Sequence, residues 1–299
     1  MLSNTFEVID LNFLNTPHTI AVFVVRWEAG AIMIETGPAS TLPHLQAGLA
    51  RLGLGPEAVT DVLLTHIHLD HAGAAWWLAQ HGARIHVHAR GAPHLIDPRR
   101  LLESAGRLYG DRLKELWGEM LPISSDHVHP LEDGNVVVIG GHRFEALDTP
   151  GHANHHMAYR YGTTCFAGDI GGVRLPGPRH LRLPTPPPEF HLEKWRASLA
   201  RLREGRFDRL VPTHFGPFDD VSWHLDALEK LLDDVEALMQ AELPGQPFIE
   251  TLRERVAAWN RDRAVTDGVD PATQAKYETA LPSGTSADGM MRYWEKFRT

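Results

Sequence analysis

The feature that most constrains this chain is the run T-H-I-H-L-D-H at positions 65–71. It directly follows the apolar residues 62–64, which predict a buried strand. His66 and His68 are two positions apart, so extended backbone would point both rings to the same side. The strand is therefore expected to present two imidazole groups together where it ends.

The rest of this run adds a carboxylate and a third imidazole. Asp70 and His71 stand where a helix over 72–80 is expected to begin, and a carboxylate suits the positive end of a helix dipole. Imidazole and carboxylate groups that converge at the end of a rigid strand are typical ligands of divalent metal ions. The run therefore predicts a site for one or two metals rather than a solvated histidine cluster.

Three later positions place the same kinds of side chain at strand ends. The stretch D-T-P-G-H follows a predicted strand at 143–147, and its proline and glycine force a turn that exposes His152. Asp169 follows a predicted strand at 164–167, and His214 follows another at 210–212. With the first run, the chain offers seven metal ligands, which are His66, His68, Asp70, His71, His152, Asp169 and His214.

Strands alternate with amphipathic helices through the first half of the chain, which predicts a layered α/β fold. The second half is richer in strands, and its proline-rich segment 171–188 reads as a long irregular loop. Residues 226–299 are expected to form a helical extension of a catalytic domain at 1–225. The predicted strands are 6–14, 20–27, 32–34, 62–65, 84–88, 135–139, 143–147, 157–161, 164–167 and 210–212, and the predicted helices in the first domain are 42–52, 72–80, 99–117 and 189–203.

Composition argues against several classes of function. The formal charge is −9, from 29 basic and 38 acidic residues without a basic cluster, which disfavours general nucleic-acid binding. Cys165 is the only cysteine, so an intrachain disulfide is excluded and thiolate ligation of a metal is disfavoured. The N-terminus lacks the pattern of a signal peptide, and no apolar run approaches the roughly 18 residues of a membrane span. We expect a cytoplasmic protein with neither a membrane nor a nucleic acid as partner.

The order and spacing of H-x-H-x-D-H, T-P-G-H, G-D and T-H resemble those of the metallo-β-lactamase-fold hydrolases, which include the glyoxalase-II-like enzymes. The resemblance covers roughly residues 5–220, and the helical extension is similar to that of an uncharacterised branch. It implies an αβ/βα four-layer sandwich with a dinuclear metal site. It also implies that His66, His68 and His152 bind one metal, that Asp70, His71 and His214 bind the other, and that Asp169 bridges both.

This resemblance implies a hydrolase for a small ester, thioester or lactone, with Asp70 and Asp169 as catalytic residues. Two divalent ions, zinc first and iron or manganese as alternatives, would lower the pKa of a bridging water so that hydroxide can attack the substrate. Three alternatives stay open: a phosphodiesterase on the same site, a mononuclear iron persulfide dioxygenase, and a binding protein with a vestigial site. The helical extension is expected to form a substrate wall with the 171–188 loop or to make a homodimer interface.

Several other residues have two interpretations each. His156 is expected to hydrogen-bond a ligand or the bridging carboxylate, or else to be an ordinary buried histidine. Glu35 either supports the site or is a turn residue. Arg174, His180 and Arg182, in the loop after Asp169, either hold an anionic end of the substrate or lie in a solvated loop.

Overall fold

A computed structural model describes residues 5–298, which form two β-sheets with helices outside them. The strands of the first sheet lie side by side in chain order. They are β1 (Glu7–Asp10), β2 (Ala21–Trp27), β3 (Gly30–Ile34), β4 (Val59–Leu63), β5 (Arg84–His88) and β6 (Val128–Leu131). The second sheet contains β7 (Val136–Ile139), β8 (His142–Asp148), β9 (Met157–Tyr161), β10 (Thr164–Phe166) and β11 (Arg209–Val211), in the order β11-β10-β9-β8-β7.

Helices cover the outer faces of both sheets. On and around the first sheet lie α1 (Leu42–Arg51), α2 (Leu69–Ala72), α3 (Ala75–Gln80), α4 (Ala92–Ile96), α5 (Arg99–Tyr109) and α6 (Leu113–Trp117). On the side of the second sheet lie α7 (Leu192–Glu204), α8 (Val221–Glu242), α9 (Ile249–Thr266), α10 (Pro271–Ala280) and α11 (Ser283–Phe297).

Strand β2 shows how the sequence builds the layers. Its residues alternate between two apolar cores, because successive side chains of a strand point to opposite faces. Val22 and Val24 belong to the core under the outer helices, whereas Phe23 and Val25 pack between the two sheets against residues such as Phe166. A third core joins the second sheet to α7, α8 and the later helices. The predicted α/β four-layer sandwich is confirmed.

Three predicted elements are shorter than expected. The helix predicted at 72–80 is split into α2 and α3, because the carbonyl group of His71 accepts hydrogen bonds from the backbone of Thr36 and Gly37 and not from the next helical turn. The predicted helix 99–117 breaks where Gly110 takes a φ of +54°. The predicted strand 6–14 ends at Asp10 and is followed by a turn with left-handed residues.

The C-terminal helices pack directly on the catalytic region. The predicted boundary at residue 225 falls inside α8, and Leu228 and Leu232 of that helix share one apolar core with Leu199 of α7. The division into two domains stays a prediction. Within residues 5–298, every helix is too short or too polar to cross a bilayer.

Candidate metal centre

Three imidazole rings meet just beyond the end of β4. Nε2 of His66 lies 3.0 Å from Nδ1 of His68, and Nε2 of His152 lies 3.1 Å and 2.8 Å from these two atoms. His66 and His68 reach this point from the loop after β4, and His152 reaches it from the turn after β8. The three ring nitrogens therefore form one compact group at the edge of the sandwich.

The hydrogen bonds on the far sides of these rings fix their tautomers. The side-chain hydroxyl of Thr65 donates to the carboxylate of Glu35, so it can only accept from Nδ1–H of His66. Nδ1–H of His152 donates to the backbone carbonyl of Pro184 at 2.8 Å. Both Nε2 atoms consequently carry lone pairs that face each other at 3.1 Å. Two facing lone pairs repel unless a cation lies between them.

A second group lies beside the first. Oδ2 of Asp70 lies 3.6 Å from Nε2 of His71 and 3.4 Å from Nε2 of His214. Nδ1–H of His71 faces the Glu35 carboxylate at 3.1 Å, and Nδ1–H of His214 donates to the carbonyl of Thr19 at 2.7 Å. Here too Nε2 of each ring is the atom that faces the group and can coordinate a metal when it carries no proton.

Asp169 lies between the two groups. Its Oδ1 is 3.2 Å from Nε2 of His71 and 3.4 Å from Nε2 of His214, whereas its Oδ2 is 3.4 Å from Nε2 of His152. One carboxylate therefore directs one oxygen to each group. The structure brings all seven predicted ligands together.

The donor set fits metal ions. Nε2 of His71 and Oδ1 of Asp169 are buried and make no hydrogen bond, as expected for atoms whose partner is a metal ion. A tetrahedral zinc with Zn–N bonds of about 2.0–2.1 Å would separate its ligand atoms by roughly 3.3 Å. The separations within the three-histidine group and around Asp169, 2.8–3.4 Å, lie close to that value.

The protonation states differ between the two groups. Burial lowers the pKa of His66 and His68 well below the usual value, and neighbouring imidazoles lower it further. Burial would also lower the pKa of His71, but the charges of Asp169, Asp70 and Glu35 outweigh it and raise that pKa. The three-histidine group is thus neutral and ready to coordinate, while His71 must lose a proton to do so.

Glu35 is part of the support of this centre. It is fully buried, has a φ of +65°, and its carboxylate contacts His71, Thr65 and Thr213. A carboxylate behind a ligating imidazole fixes the ring and raises its basicity. Sequence reasoning singled out Glu35, but the carbonyl groups of Thr19 and Pro184 carried no sequence signal, because any residue has a carbonyl.

His156 acts on the backbone of Asp169. Its Nε2 accepts hydrogen bonds from the amides of Asp169 at 3.1 Å and Ile170 at 3.4 Å, and its Nδ1 bonds the hydroxyl of Thr149 at 2.9 Å. His156 therefore hydrogen-bonds a ligand residue, as one of the two interpretations expected, but it does so at the backbone amide and not at the carboxylate. It holds the turn that presents this carboxylate.

The three basic residues of the 171–188 loop are neither solvated nor available to a substrate. Arg174, His180 and Arg182 are at most 7 % exposed. Arg174 makes an ion pair with Asp220, and Arg182 makes one with Glu278. His180 hydrogen-bonds the carboxylate of Asp267 through its Nδ1, and all three acidic residues lie on or beside the C-terminal helices. Both interpretations drawn from the sequence are wrong, since the burial of these residues depends on helices far along the chain.

A cleft of about 1150 Å³ opens above the metal centre. His68, Asp70 and His214 lie at its floor. Its walls come from α5 and α6 on one side and from the 184–189 segment, α10 and α11 on the other. The helical extension thus forms part of the cleft wall.

A family model for the metallo-beta-lactamase superfamily matches residues 15–214. The chain belongs to the metallo-beta-lactamase superfamily. That match contains all seven predicted ligands and both sheets from β2 onward.

Three known proteins illustrate what the chain is similar to. A hydroxyacylglutathione hydrolase of Aeromonas hydrophila is 30% identical over half of this chain, and the match spans only 45% of that enzyme. An atrochrysone carboxyl ACP thioesterase of Aspergillus novofumigatus is 26% identical over 83% of this chain and 67% of its own length. A metallo-beta-lactamase family protein of Thermus thermophilus has the same fold, with a TM-score of 0.65, 20% identity and coverage of 98% and 93% of the two chains.

The superfamily and these relatives identify the kind of chemistry. Like them, the chain is a metal-dependent hydrolase, and its clustered imidazole and carboxylate groups are able to bind metal. The predicted family and enzyme class are confirmed.

Proposed function

We propose that this protein is a dinuclear metallo-hydrolase that cleaves a small ester, thioester or lactone. The observation that carries the proposal is the position of Asp169, whose two oxygens face two separate groups of ligand atoms. A carboxylate placed in this way suits a pair of ions that share it. The two similar enzymes whose names state a reaction are a hydroxyacylglutathione hydrolase and a thioesterase, which favours a thioester among the three substrate classes.

The proposed function assigns each ligand residue to one of the two ions. When bound, two divalent cations would supply a water of lowered pKa and a Lewis acid for the substrate oxygen. His66, His68 and His152 would hold one ion, and Asp70, His71 and His214 the other. All of these histidines except His68 are held by hydrogen bonds to groups outside the ligand set, so they need little rearrangement when substrate binds.

Asp70 is the more exposed of the two carboxylates of the metal centre. Its side chain is 21% exposed, against 4% for Asp169. Burial would raise the pKa of Asp70, but His71 and His214 outweigh it and lower the pKa to about 2. It is therefore a carboxylate at neutral pH, and we assign it the role of orienting the attacking water by accepting its hydrogen bond.

Metal analysis of the purified protein tests the proposal. We expect about two metals per chain, zinc first, and clearly fewer in Asp169→Ala. Asp126→Ala, which removes an exposed carboxylate far along the chain from the seven ligands, should leave the metal content unchanged. Wild-type protein loaded with two metals should hydrolyse a panel of thioesters, lactones and esters.

Two results of the metal analysis would contradict the proposal. One iron per chain that is unaffected by Asp169→Ala would contradict the dinuclear site and favour oxygen chemistry. Protein that binds no metal under any loading condition would overturn the proposed function.

A further inference from the structure

The backbone of one cleft segment determines the position of His152. Nδ1–H of this ligand donates to the carbonyl of Pro184, and that carbonyl lies in the segment 182–186 between the metal centre and the C-terminal helices. A histidine ligand is oriented by the group that accepts its second N–H. The geometry of the three-histidine group thus depends on where the backbone at residue 184 lies.

Helix α11 contacts the next residues of this segment. The buried hydroxyl of Thr185 donates to the carbonyl of Ser286 at 3.1 Å. Nearly one turn later, Gly289 packs so closely that a Cβ there would overlap the carbonyl oxygen of Thr185 and lie 2.8 Å from the carbonyl carbon of Pro186. Only glycine permits this contact between the two backbones.

An ion pair joins the start of the same segment to the same helices. The Arg182 side chain is 2% exposed and pairs with Glu278 of α10. Glu278 also accepts hydrogen bonds from the backbone and the hydroxyl of Ser283, where α11 begins. The end of α10 and the first half of α11 consequently hold this segment at both of its ends.

The rings of the second group are supported by other parts of the chain. The His71 ring is supported by Glu35, and the His214 ring by the carbonyl of Thr19. Both supporting groups come from the N-terminal part of the chain. A displacement of α11 would therefore change the orientation of the His152 ring before it changed the rings of His71 and His214.

We propose that α11 is a positioning element of the metal centre, which sets the affinity of the three-histidine group through Thr185 and the Pro184 carbonyl. The inference rests on the metal centre of the proposed function. It gives the helical extension a role in metal binding in addition to its place in the cleft wall.

Gly289→Ala tests this proposal, with Gly284→Ala as the matched control on the same helix. At position 284 an added Cβ would meet only the flexible side chain of Arg253, at 3.7 Å. Metal-free protein is titrated with zinc by calorimetry, and cobalt spectra report the geometry of each site. We expect Gly289→Ala to weaken one of two binding steps by about 10- to 100-fold, the range found when a supporting residue is lost. The same step should weaken in His152→Ala, and Gly284→Ala should behave as wild type.

Thr185→Val covers the case in which Gly289→Ala does not fold. This variant keeps the shape of the side chain and removes its donor to Ser286, and we expect it to weaken the same binding step. Unchanged zinc affinity in both folded variants would overturn the proposal, as would equal loss of both steps. Wild-type protein that binds two metals and hydrolyses thioesters would show that such a failure leaves the proposed function intact.

A different observation concerns the charges along the cleft. Arg100 and Arg107 line it from α5, seven residues apart and therefore on one face, about 10 Å apart along the helix. Both are exposed, and within residues 5–298 neither makes an ion pair with a carboxylate. Arg99 and Arg112 nearby are paired, with Asp97 and Glu115.

The acidic groups of the opposite wall have partners of their own. Glu189 contacts His155, Glu278 pairs with Arg182, and Asp288 pairs with Arg253. Between the two arginines, α5 lines the cleft with Leu101, Ser104 and Ala105. The cleft therefore combines a largely apolar wall with two guanidinium groups that have no carboxylate partner, although the whole chain carries a formal charge of −9.

We infer that the substrate of the proposed hydrolase carries an oxyanion, a phosphate or a carboxylate, in addition to the bond that is cleaved. Guanidinium groups bind both kinds of oxyanion in a forked geometry. The largely apolar surface between them suits the uncharged part of the same molecule.

Three thioesters with one shared acyl group test this inference. Their thiols are coenzyme A, which carries phosphates, glutathione, which carries carboxylates, and neutral N-acetylcysteamine. We expect KM to be at least tenfold lower for one of the anionic thioesters, and the difference to shrink with salt. It should also shrink in Arg100→Gln/Arg107→Gln but not in Arg51→Gln, which removes an exposed arginine at the end of α1, outside the cleft.

The comparison of the two anionic thioesters distinguishes phosphate from carboxylate. Equal KM values for all three thioesters would overturn the inference and leave the proposed function standing. If protein with two bound metals hydrolysed none of the three, the inference would be overturned, and the proposed function would be contradicted only if esters and lactones were not cleaved either.

Discussion

Glu35 lies behind His71, with its Oε1 3.1 Å from Nδ1 of the ring and with both side chains fully buried. The carboxylate has no contact with solvent, so its charge is balanced only by its hydrogen bonds and by whatever positive charge the metal centre holds. It therefore supports the centre electrostatically as well as by orienting the ring.

Glu35→Gln should weaken metal binding. The substitution keeps the volume and removes the charge, so the second ion loses about 10- to 100-fold in affinity, as is usual for such supporting groups. Zinc titration of metal-free protein measures the effect, with Glu57→Gln, at a side chain that is 71% exposed, as control. Equal affinities in the two variants would show that Glu35 is only a turn residue.

His156→Ala should destabilise the turn that carries Asp169. The amides of Asp169 and Ile170 lose their acceptor in a buried place, which costs about 1–3 kcal/mol of unfolding free energy. Metal affinity should fall as well, since the bridging carboxylate is then held less firmly. His156→Gln should recover part of both losses, because its amide oxygen can accept from the same backbone. Urea unfolding and zinc titration measure these effects, and an alanine variant as stable as wild type would contradict this role.

Because of Asp61, we expect the free energy of unfolding to depend on pH for a reason unrelated to the metal centre. Burial would raise its pKa, but hydrogen bonds from His86 and Arg84 outweigh it and lower the pKa from 3.8 to about 2. A carboxyl with a depressed folded-state pKa stabilises the protein above its unfolded pKa, and this stability is lost as the pH falls through the folded pKa. Asp61→Asn should thus cost about 2 kcal/mol at pH 7.

The measurement is urea unfolding of metal-free protein over a pH series. The difference between wild type and Asp61→Asn should shrink between about pH 4 and pH 2. A difference that stays constant over this range would show that the carboxylate charge is not its source.

The sequence predicted the metal centre better than it predicted the supporting groups. The seven ligands lie at strand ends, where strand periodicity and turn residues determine position locally. The Pro184 carbonyl, in contrast, is brought to His152 by packing against α11, more than a hundred residues later in the chain. Such a contact has no local pattern.

The basic residues of the 171–188 loop show the same limit. A proline-rich stretch with arginines reads as a solvated loop, and only the C-terminal helices supply the carboxylates that bury them. The breaks at Gly73 and Gly110 were likewise missed, because helical spacing of apolar residues continues across both glycines.

The last prediction concerns the ion pair between Arg174 and Asp220. The Arg174 side chain is buried, and its guanidinium group makes two hydrogen bonds with the carboxylate, at 2.7 and 2.9 Å, and lies 3.9 Å from the centre of the Phe218 ring. Asp220→Ala would leave a buried charge with little compensation, so we expect a loss of about 2–4 kcal/mol of unfolding free energy. The adjacent pair of Arg209 and Asp219 is exposed, and Asp219→Ala should cost less than about 1 kcal/mol of unfolding free energy.

Because Arg174→Met removes the charge that needs a partner, the double variant Arg174→Met/Asp220→Ala should be more stable than Asp220→Ala alone. Equal losses for Asp219→Ala and Asp220→Ala in urea unfolding would show that this buried pair contributes no more than its exposed neighbour, and that apolar packing alone joins the loop to α8.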